Sequence, residues 1–244
     1  MLKIYLKNTF RKLIRDKGNT FINIAGLALG ITGCIMIFLI LRDGARYDKH
    51  HANYDRIYRV VSQSKENGRD TYTQGIPRAL PESFVQNFHE VEVVAFTSYW
   101  RNALVAVEQP DQTFKKYEEP TGVVITEPSF FQIFDRKILI GDSGKALDDP
   151  GEAIISNKWA RRYFGTPENA IEKTIVYEDN SYSTKAVMED HPSTTDLPFE
   201  LMLSYATVKT SFEAGGWGSV SDQDNCYFLL KENESIERVK ARIP

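Results

Sequence analysis

Histidine and carboxylate side chains cluster at one place in this 244-residue sequence, where His50 and His51 stand beside Asp48 and Asp55. Imidazole and carboxylate are common ligands for divalent metals. Adjacent residues seldom converge on one ion, however, so a solvated junction explains the cluster more simply and no metal is expected. His191 sits in a turn between Asp190 and Pro192, and Gly216-Trp217-Gly218-Ser219 lacks the GxSxG pattern of a nucleophile elbow. The glycine-lysine stretch Gly141-Asp142-Ser143-Gly144-Lys145 lacks the GxxxxGK[ST] spacing that cradles a nucleotide phosphate. Acidic groups recur as Glu118-Glu119, Glu189-Asp190 and Asp222-Gln223-Asp224. Calcium would need more oxygens arranged by a tight loop, and a solvated face is the ordinary explanation for such groups. No catalytic constellation, cofactor site or metal site emerges, and the chain reads as a non-enzyme.

The charges are distributed unevenly. Residues 1–20 carry six basic side chains against Asp16 alone, a net +5, and residues 21–41 carry no charge. The remainder holds 24 basic and 32 acidic residues, a net −8, which gives nucleic acid no electrostatic footprint. A helix over the 21 uncharged residues reaches roughly 31 Å, close to the hydrocarbon thickness of a bilayer. The basic flank predicts a cytoplasmic N-terminus, with Arg42, Arg46 and Lys49 on the far side offset by Asp43 and Asp48. A cleaved signal would have a shorter basic region and a shorter apolar core. Ile31-Thr32-Gly33-Cys34 is similar to a lipoprotein cleavage box, yet the apolar run continues through Ile40 where a polar tether should begin. Ahead of the span, Leu2, Leu6, Phe10, Leu13 and Ile14 recur at helical spacing, as in an amphipathic helix on the inner leaflet or a plain extension of the span. Gly26 and Gly30, with Gly33 nearby, form a small-xxx-small face against which another helix could pack closely.

Three segments follow from this: a basic cytoplasmic lead at 1–20, a transmembrane helix at 21–41 and an extracytoplasmic domain at 42–244. The two cysteines, Cys34 in the span and Cys226 near the end, cannot meet in an intrachain disulfide, so the domain must hold together through its core. Strands are predicted at 57–64, 91–100, 103–107, 114–117, 123–126, 138–140, 153–155, 175–178, 184–189, 201–205 and 227–231. Segments 91–100 and 103–107 read as a hairpin, with turns at Asn67-Gly68 and Asp179-Asn180. Helices are predicted at 81–88, at 129–134, after a cap at Ser156 or Asn157 as far as Gly165, and from Ser235. The class is α+β. Phe130, Phe131, Phe134, Trp159, Tyr163 and Phe164 lie on two of the short helices. They could line a substrate groove, but their helical spacing assigns them to the core.

The order of motifs resembles the permease subunits of MacB/FtsX-type ABC transporters, in the versions common in Bacteroidetes, with their MacB-like periplasmic core domain. The likeness runs from Leu13-Ile14-Arg15-Asp16-Lys17 and Phe21-Ile22-Asn23-Ile24-Ala25-Gly26 through Tyr47-Asp48-Lys49-His50-His51 and Asp55-Arg56-Ile57-Tyr58-Arg59-Val60. It continues in Phe130-Phe131-Gln132-Ile133-Phe134, Leu139-Ile140-Gly141-Asp142, Ala160-Arg161-Arg162-Tyr163-Phe164-Gly165 and Glu189-Asp190-His191-Pro192. Single motifs are weak; their shared order is specific. The resemblance implies a non-catalytic subunit of the cell inner membrane that couples ATP hydrolysis by a separate cytoplasmic ABC ATPase to export or extraction of a substrate. It also implies a second permease chain, contacts with membrane lipid and a periplasmic adaptor as partners. Family permeases resemble one helix, a periplasmic domain and three more helices, so this chain is expected to be the N-terminal portion of such a protein. The competing reading is a membrane-anchored sensor or adaptor domain without ATPase coupling.

Overall fold

The computed structural model describes residues 11, 14–142 and 144–243, so most of the expected amphipathic lead and Ser143 lie outside the described residues. The chain divides into two compact units, Met1–Tyr47 and Asp48–Pro244.

The first unit holds helix α1 (Lys17–Gly44), whose 28 residues include the uncharged run. By length and composition it could cross a membrane. It has no buried residue. Side chains such as Phe21, Leu29 and Ile40 are exposed all round it, a surface that lipid matches and water does not. Thr32 Oγ1 returns to the Ala28 carbonyl at 2.8 Å, which keeps this hydroxyl satisfied inside the helix. At Gly26, Gly30 and Gly33 an added Cβ would meet nothing within 4 Å.

The second unit is α+β. Its strands are β1 (Ile57–Arg59), β2 (Ser62–Glu66), β3 (Arg69–Thr73), β4 (Val91–Trp100), β5 (Ala103–Glu108), β6 (Phe114–Glu119) and β7 (Val123–Thr126). They continue as β8 (Ile138–Ile140), β9 (Glu152–Ser156), β10 (Thr174–Tyr177), β11 (Asn180–Met188), β12 (Leu201–Ser204) and β13 (Asp224–Leu230). Between them lie helices α2 (Leu80–Asn87), α3 (Phe130–Ile133), α4 (Asn157–Phe164), α5 (Lys209–Glu213) and, after the last strand, α6 (Ile236–Lys240). Eleven strands form one sheet in the order β1-β13-β4-β7-β12-β9-β11-β10-β5-β6, with β8 also on β11. The β7–β12 and β9–β11 pairs are parallel and the others antiparallel.

The sheet is covered on both faces. On one, Val123, Ile125, Ala153, Ile155, Leu201 and Leu203 meet Phe84 of α2, Trp159 and Tyr163 of α4, Phe212 of α5 and Val239 of α6. On the other, Val124, Ile154 and Met202 meet Phe130 and Ile133 of α3, Phe134, Leu147 and Phe199. Alternate residues of one strand thus feed opposite cores. All four residues of β7 and all four of β12 are therefore buried, giving the continuous apolar runs of a central strand.

The expected hairpin between 91–100 and 103–107 does not form. Strand β4 pairs with β13 and β7, whereas β5 pairs with β6 and β10. The burial patterns give the reason. Residues 94–98 are buried in succession and belong at the centre, while β5 alternates around an exposed Leu104 and β6 is mostly polar, as suits a margin. The strand expected at 57–64 breaks into β1 and β2. Strand β2 pairs only with β3, a polar segment that pattern reading missed, across an Asn67-Gly68 turn with both φ positive, at 51° and 78°. Ser156 is the cap of α4, accepting the Trp159 N–H at 3.2 Å, and Gly165 ends that helix at φ 83°. Ser129 makes no side-chain capping bond. Gly141 is required as glycine, since at φ 92° a Cβ would lie 2.5 Å from the Lys185 carbonyl oxygen on β11.

Candidate functional site

After three residues beyond the end of α1, the chain enters the second unit at Asp48 through a tightly bonded segment. Asp48 adopts φ 54° and donates its N–H to the Thr194 carbonyl at 3.1 Å. Its carboxylate accepts the Thr195 hydroxyl at 2.5 Å and the Asp196 N–H at 3.1 Å. Three residues on, His51 is 4% exposed, packs edge-on against Phe134 and accepts the Asp135 N–H on Nδ1 at 3.1 Å. Asp135 reciprocates by accepting the Ala52 N–H at 2.6 Å. Arg56 then donates to the Leu230 carbonyl at 2.7 Å and to Asn53 Oδ1 at 2.8 Å, and pairs with Glu92 at 3.3 Å. Residues 48–56 are thereby tied to the 194–196 loop, to the end of α3, to β13 and to β4.

The structure draws Asp48, His50 and His51 closer than sequence spacing suggested, with one ligand atom of each within 4.8 Å of the others. Asp55 is not part of this group. The donor set does not fit a metal. Because His51 Nδ1 accepts a backbone N–H, the neutral ring carries its proton on Nε2, the atom that faces Asp48 Oδ1 at 3.9 Å. Both Asp48 oxygens already accept hydrogen bonds.

Burial, reinforced by the neighbouring His50, pulls the His51 imidazole below its ordinary value of 6.5. The sign of the consequence is fixed. Below pH 6.5 the unfolded chain binds a proton that the folded chain refuses, so this contribution is complete above 6.5 and declines as pH falls. In melts of the full chain in detergent, the stability gap between wild type and His51→Gln should narrow from pH 7.5 to 5.5, by at most about 1.4 kcal/mol per pH unit. A constant gap would show that the imidazole is not buried as the neutral form.

The acidic pairs read as solvated faces include two buried carboxylates. Glu119 is 2% exposed and accepts the Tyr163 hydroxyl at 2.7 Å, while Arg162 Nη1 approaches its two oxygens at 2.7 and 2.8 Å. Burial and that hydrogen bond push the Tyr163 phenol far above its usual range. Asp224 is buried too, accepting Ser98 Oγ at 2.6 Å and pairing with Arg78 Nε at 2.8 Å. A third buried carboxylate, Glu200, meets Lys158 at 3.2 Å and His191 Nε2 at 3.3 Å. The signal available in sequence was the arginine of Ala160-Arg161-Arg162-Tyr163, but its partner lies 43 residues away.

The six aromatic residues assigned to the core divide between the two faces. Phe130 and Phe134, 4.7 Å apart, lie under α3; Trp159 and Tyr163, 5.6 Å apart, lie under α4. Phe131 and Phe164 are half-buried at the margins. The sheet stands between the two groups, so they do not converge on a common groove.

Residues 20–244 match the profile of the family described as the MacB-like periplasmic core domain. The chain belongs to this family. The MacB-like fold is also seen in a domain of a protein described as a permease from Porphyromonas gingivalis, at TM-score 0.62 and 19% identity, covering 78% of this chain and 82% of that one. The periplasmic region of MacB from Actinobacillus actinomycetemcomitans aligns at TM-score 0.52 and 12% identity, covering 76% and 79%. Among curated proteins no relative matches. The resemblance carried by the ordered motifs is thus borne out at the level of family: the chain carries a MacB-like periplasmic core domain, preceded in sequence by a helix long and apolar enough to cross a membrane.

Proposed function

We propose that this MacB-like chain is a non-catalytic permease subunit, or the N-terminal portion of one, whose domain moves in response to ATP hydrolysis by a separate cytoplasmic ATPase. The observation that carries this reading is the bonded segment at residues 48–56. Force applied along the chain from α1 reaches Asp48 after only three intervening residues, and from there four separate parts of the domain are bonded to the segment. A freely hinged tether would dissipate such motion. In this reading residues 1–20 lie in the cytoplasm, 21–41 span the inner membrane and 42–244 lie outside the cytoplasm, as the +5 basic flank favours. Gly26, Gly30 and Gly33 give a partner chain or further helices a close approach within lipid. The substrate is exported or extracted without passing through a site on this chain that performs chemistry.

The test is to capture the tagged chain from its native membranes and measure ATPase activity of the assembly. We expect an ABC ATPase to copurify. The Asp48→Ala, Asp135→Ala double variant should lower substrate-stimulated turnover about tenfold while leaving the assembly intact. Capture without any ATPase would overturn the reading in favour of an anchored sensor or adaptor, and a reporter fused at Pro244 that works in the cytoplasm would overturn the orientation.

A further inference from the structure

A cavity lined by none of residues 48–56 opens elsewhere on the domain. It encloses about 500 Å³ between α2 and α5, above strand β4, within the range that accommodates small organic ligands. Val94 and Phe96 of β4 form its floor, with Tyr205, Pro81 and Val85 along the walls. The Phe96 and Tyr205 rings stand 5.2 Å apart. The carboxylate of Glu127 also lines this half-open cavity, whose wall is about as polar as apolar, with Glu82, Arg78 and Lys209 among its residues.

The local cations are committed elsewhere. Arg78 bonds Asp224 at 2.8 Å and lies over the Phe212 ring at 3.7 Å, and Lys209 pairs with Glu213 at 3.6 Å. Among the described residues no lysine, arginine or histidine nitrogen comes within 4.0 Å of Glu127 or Glu82. Burial pushes the Glu127 carboxyl above the usual range, opposed in part by the Phe96 N–H, then the Ser129 hydroxyl and, least, Lys209. A largely buried carboxylate with no cation in direct contact is costly, and a cation brought by a ligand would relieve that cost. The geometry also selects the kind of cation. Glu127 Oε1 already accepts the Phe96 N–H at 3.1 Å, which disfavours the two-oxygen fork of a guanidinium and leaves room for a compact ammonium.

We infer that this cavity binds a primary alkylammonium group, its nitrogen on Glu127 and its hydrocarbon stem along Val94, Phe96 and Val85. Such a group comes either from a free amine or from a lysine side chain of another polypeptide; the chemistry is the same. The inference is independent of ATPase coupling, since it concerns a site on the domain alone.

The test uses the full chain in lipid nanodiscs and three probes: n-hexylammonium, Nα-acetyl-lysine amide and Nα-acetyl-arginine amide. Equilibrium dialysis should show one saturable site for hexylammonium, with the arginine amide at least tenfold weaker. Glu127→Gln, which preserves an acceptor for the Phe96 N–H, should weaken binding by tenfold or more, the scale of a lost charged hydrogen bond. Val85 is 59% exposed, so Val85→Arg places a competing cation at the mouth without disturbing the core, and should abolish binding. Lysine amide binding as tightly as hexylammonium identifies a polypeptide source; much weaker binding identifies a free amine. Non-saturable binding of both, or wild-type affinity in either variant, would overturn the inference. If Glu127→Gln does not fold, Val85→Arg decides alone.

Discussion

Phe134→Ala and Phe130→Ala should each lower the stability of the domain by about 3–5 kcal/mol, the usual cost of truncating a buried aromatic side chain. Phe130 is fully buried and Phe134 is 3% exposed. Their rings contact each other, and Phe134 also meets Tyr227 of β13 edge-on at 5.2 Å and the His51 ring at 5.2 Å. Removing Phe134 therefore opens a void where the entry segment, α3 and the last strand meet. For a domain of this size the melting temperature should fall by roughly 6–20 °C. Phe164→Ala is the comparison, because its ring is only half-buried at the edge of the other core and its loss should cost about 1 kcal/mol. A groove aromatic would behave differently, since a ring already facing water in the free protein costs little to remove. If Phe134→Ala melts within a degree or two of the parent, the core assignment is wrong.

The second large effect is expected at the Glu119–Arg162 pair. Breaking a buried ion pair by removing one partner typically costs about 3–5 kcal/mol, because the other charge is stranded away from water. The Arg162 side chain is 47% exposed, so solvent screens part of this loss and about 2 kcal/mol is the better expectation for Arg162→Ala. Tyr163 would remain as the sole donor to Glu119. In a Glu119→Gln background no charge is stranded, and the same arginine truncation should cost about 0.5 kcal/mol. Denaturant unfolding of the four proteins closes the cycle. Equal costs in both backgrounds would mean that the pair is not coupled.

Local chemistry was legible in the sequence where a single element decides it. The uncharged run, the Ser156 cap with Gly165 at the other end of α4, and the Asn67-Gly68 turn each contain their own instructions, and the ordered motifs were enough to indicate the family. Pairing partners were not legible. Nothing in Val91–Trp100 names β13 as its neighbour, because that strand begins more than 120 residues later; adjacency to β5 was the only local cue, and it misled. Burial of Glu119 and Asp224 was hidden for the same reason, since their arginines arrive from distant elements. The bonded segment at 48–56 was read as a solvated junction because its polar residues look exposed until Thr194, Asp135 and Leu230 are brought against them.

The position of the last strand sets an order of events during synthesis. Strand β13 lies between β1 and β4, so β1 has no partner and β4 is paired on the β7 side alone until residues 224–230 have been made. At about 5–20 residues per second, the apolar edge of β4 waits on the order of 10 s after leaving the ribosome before its partner follows. Throughout that interval the unpaired backbone of Val93 to Phe96 is a template for any passing strand, including one from another nascent chain. A strand with a long apolar edge is thus finished early and sheltered late, and efficient folding would depend on a holding chaperone engaged across this gap.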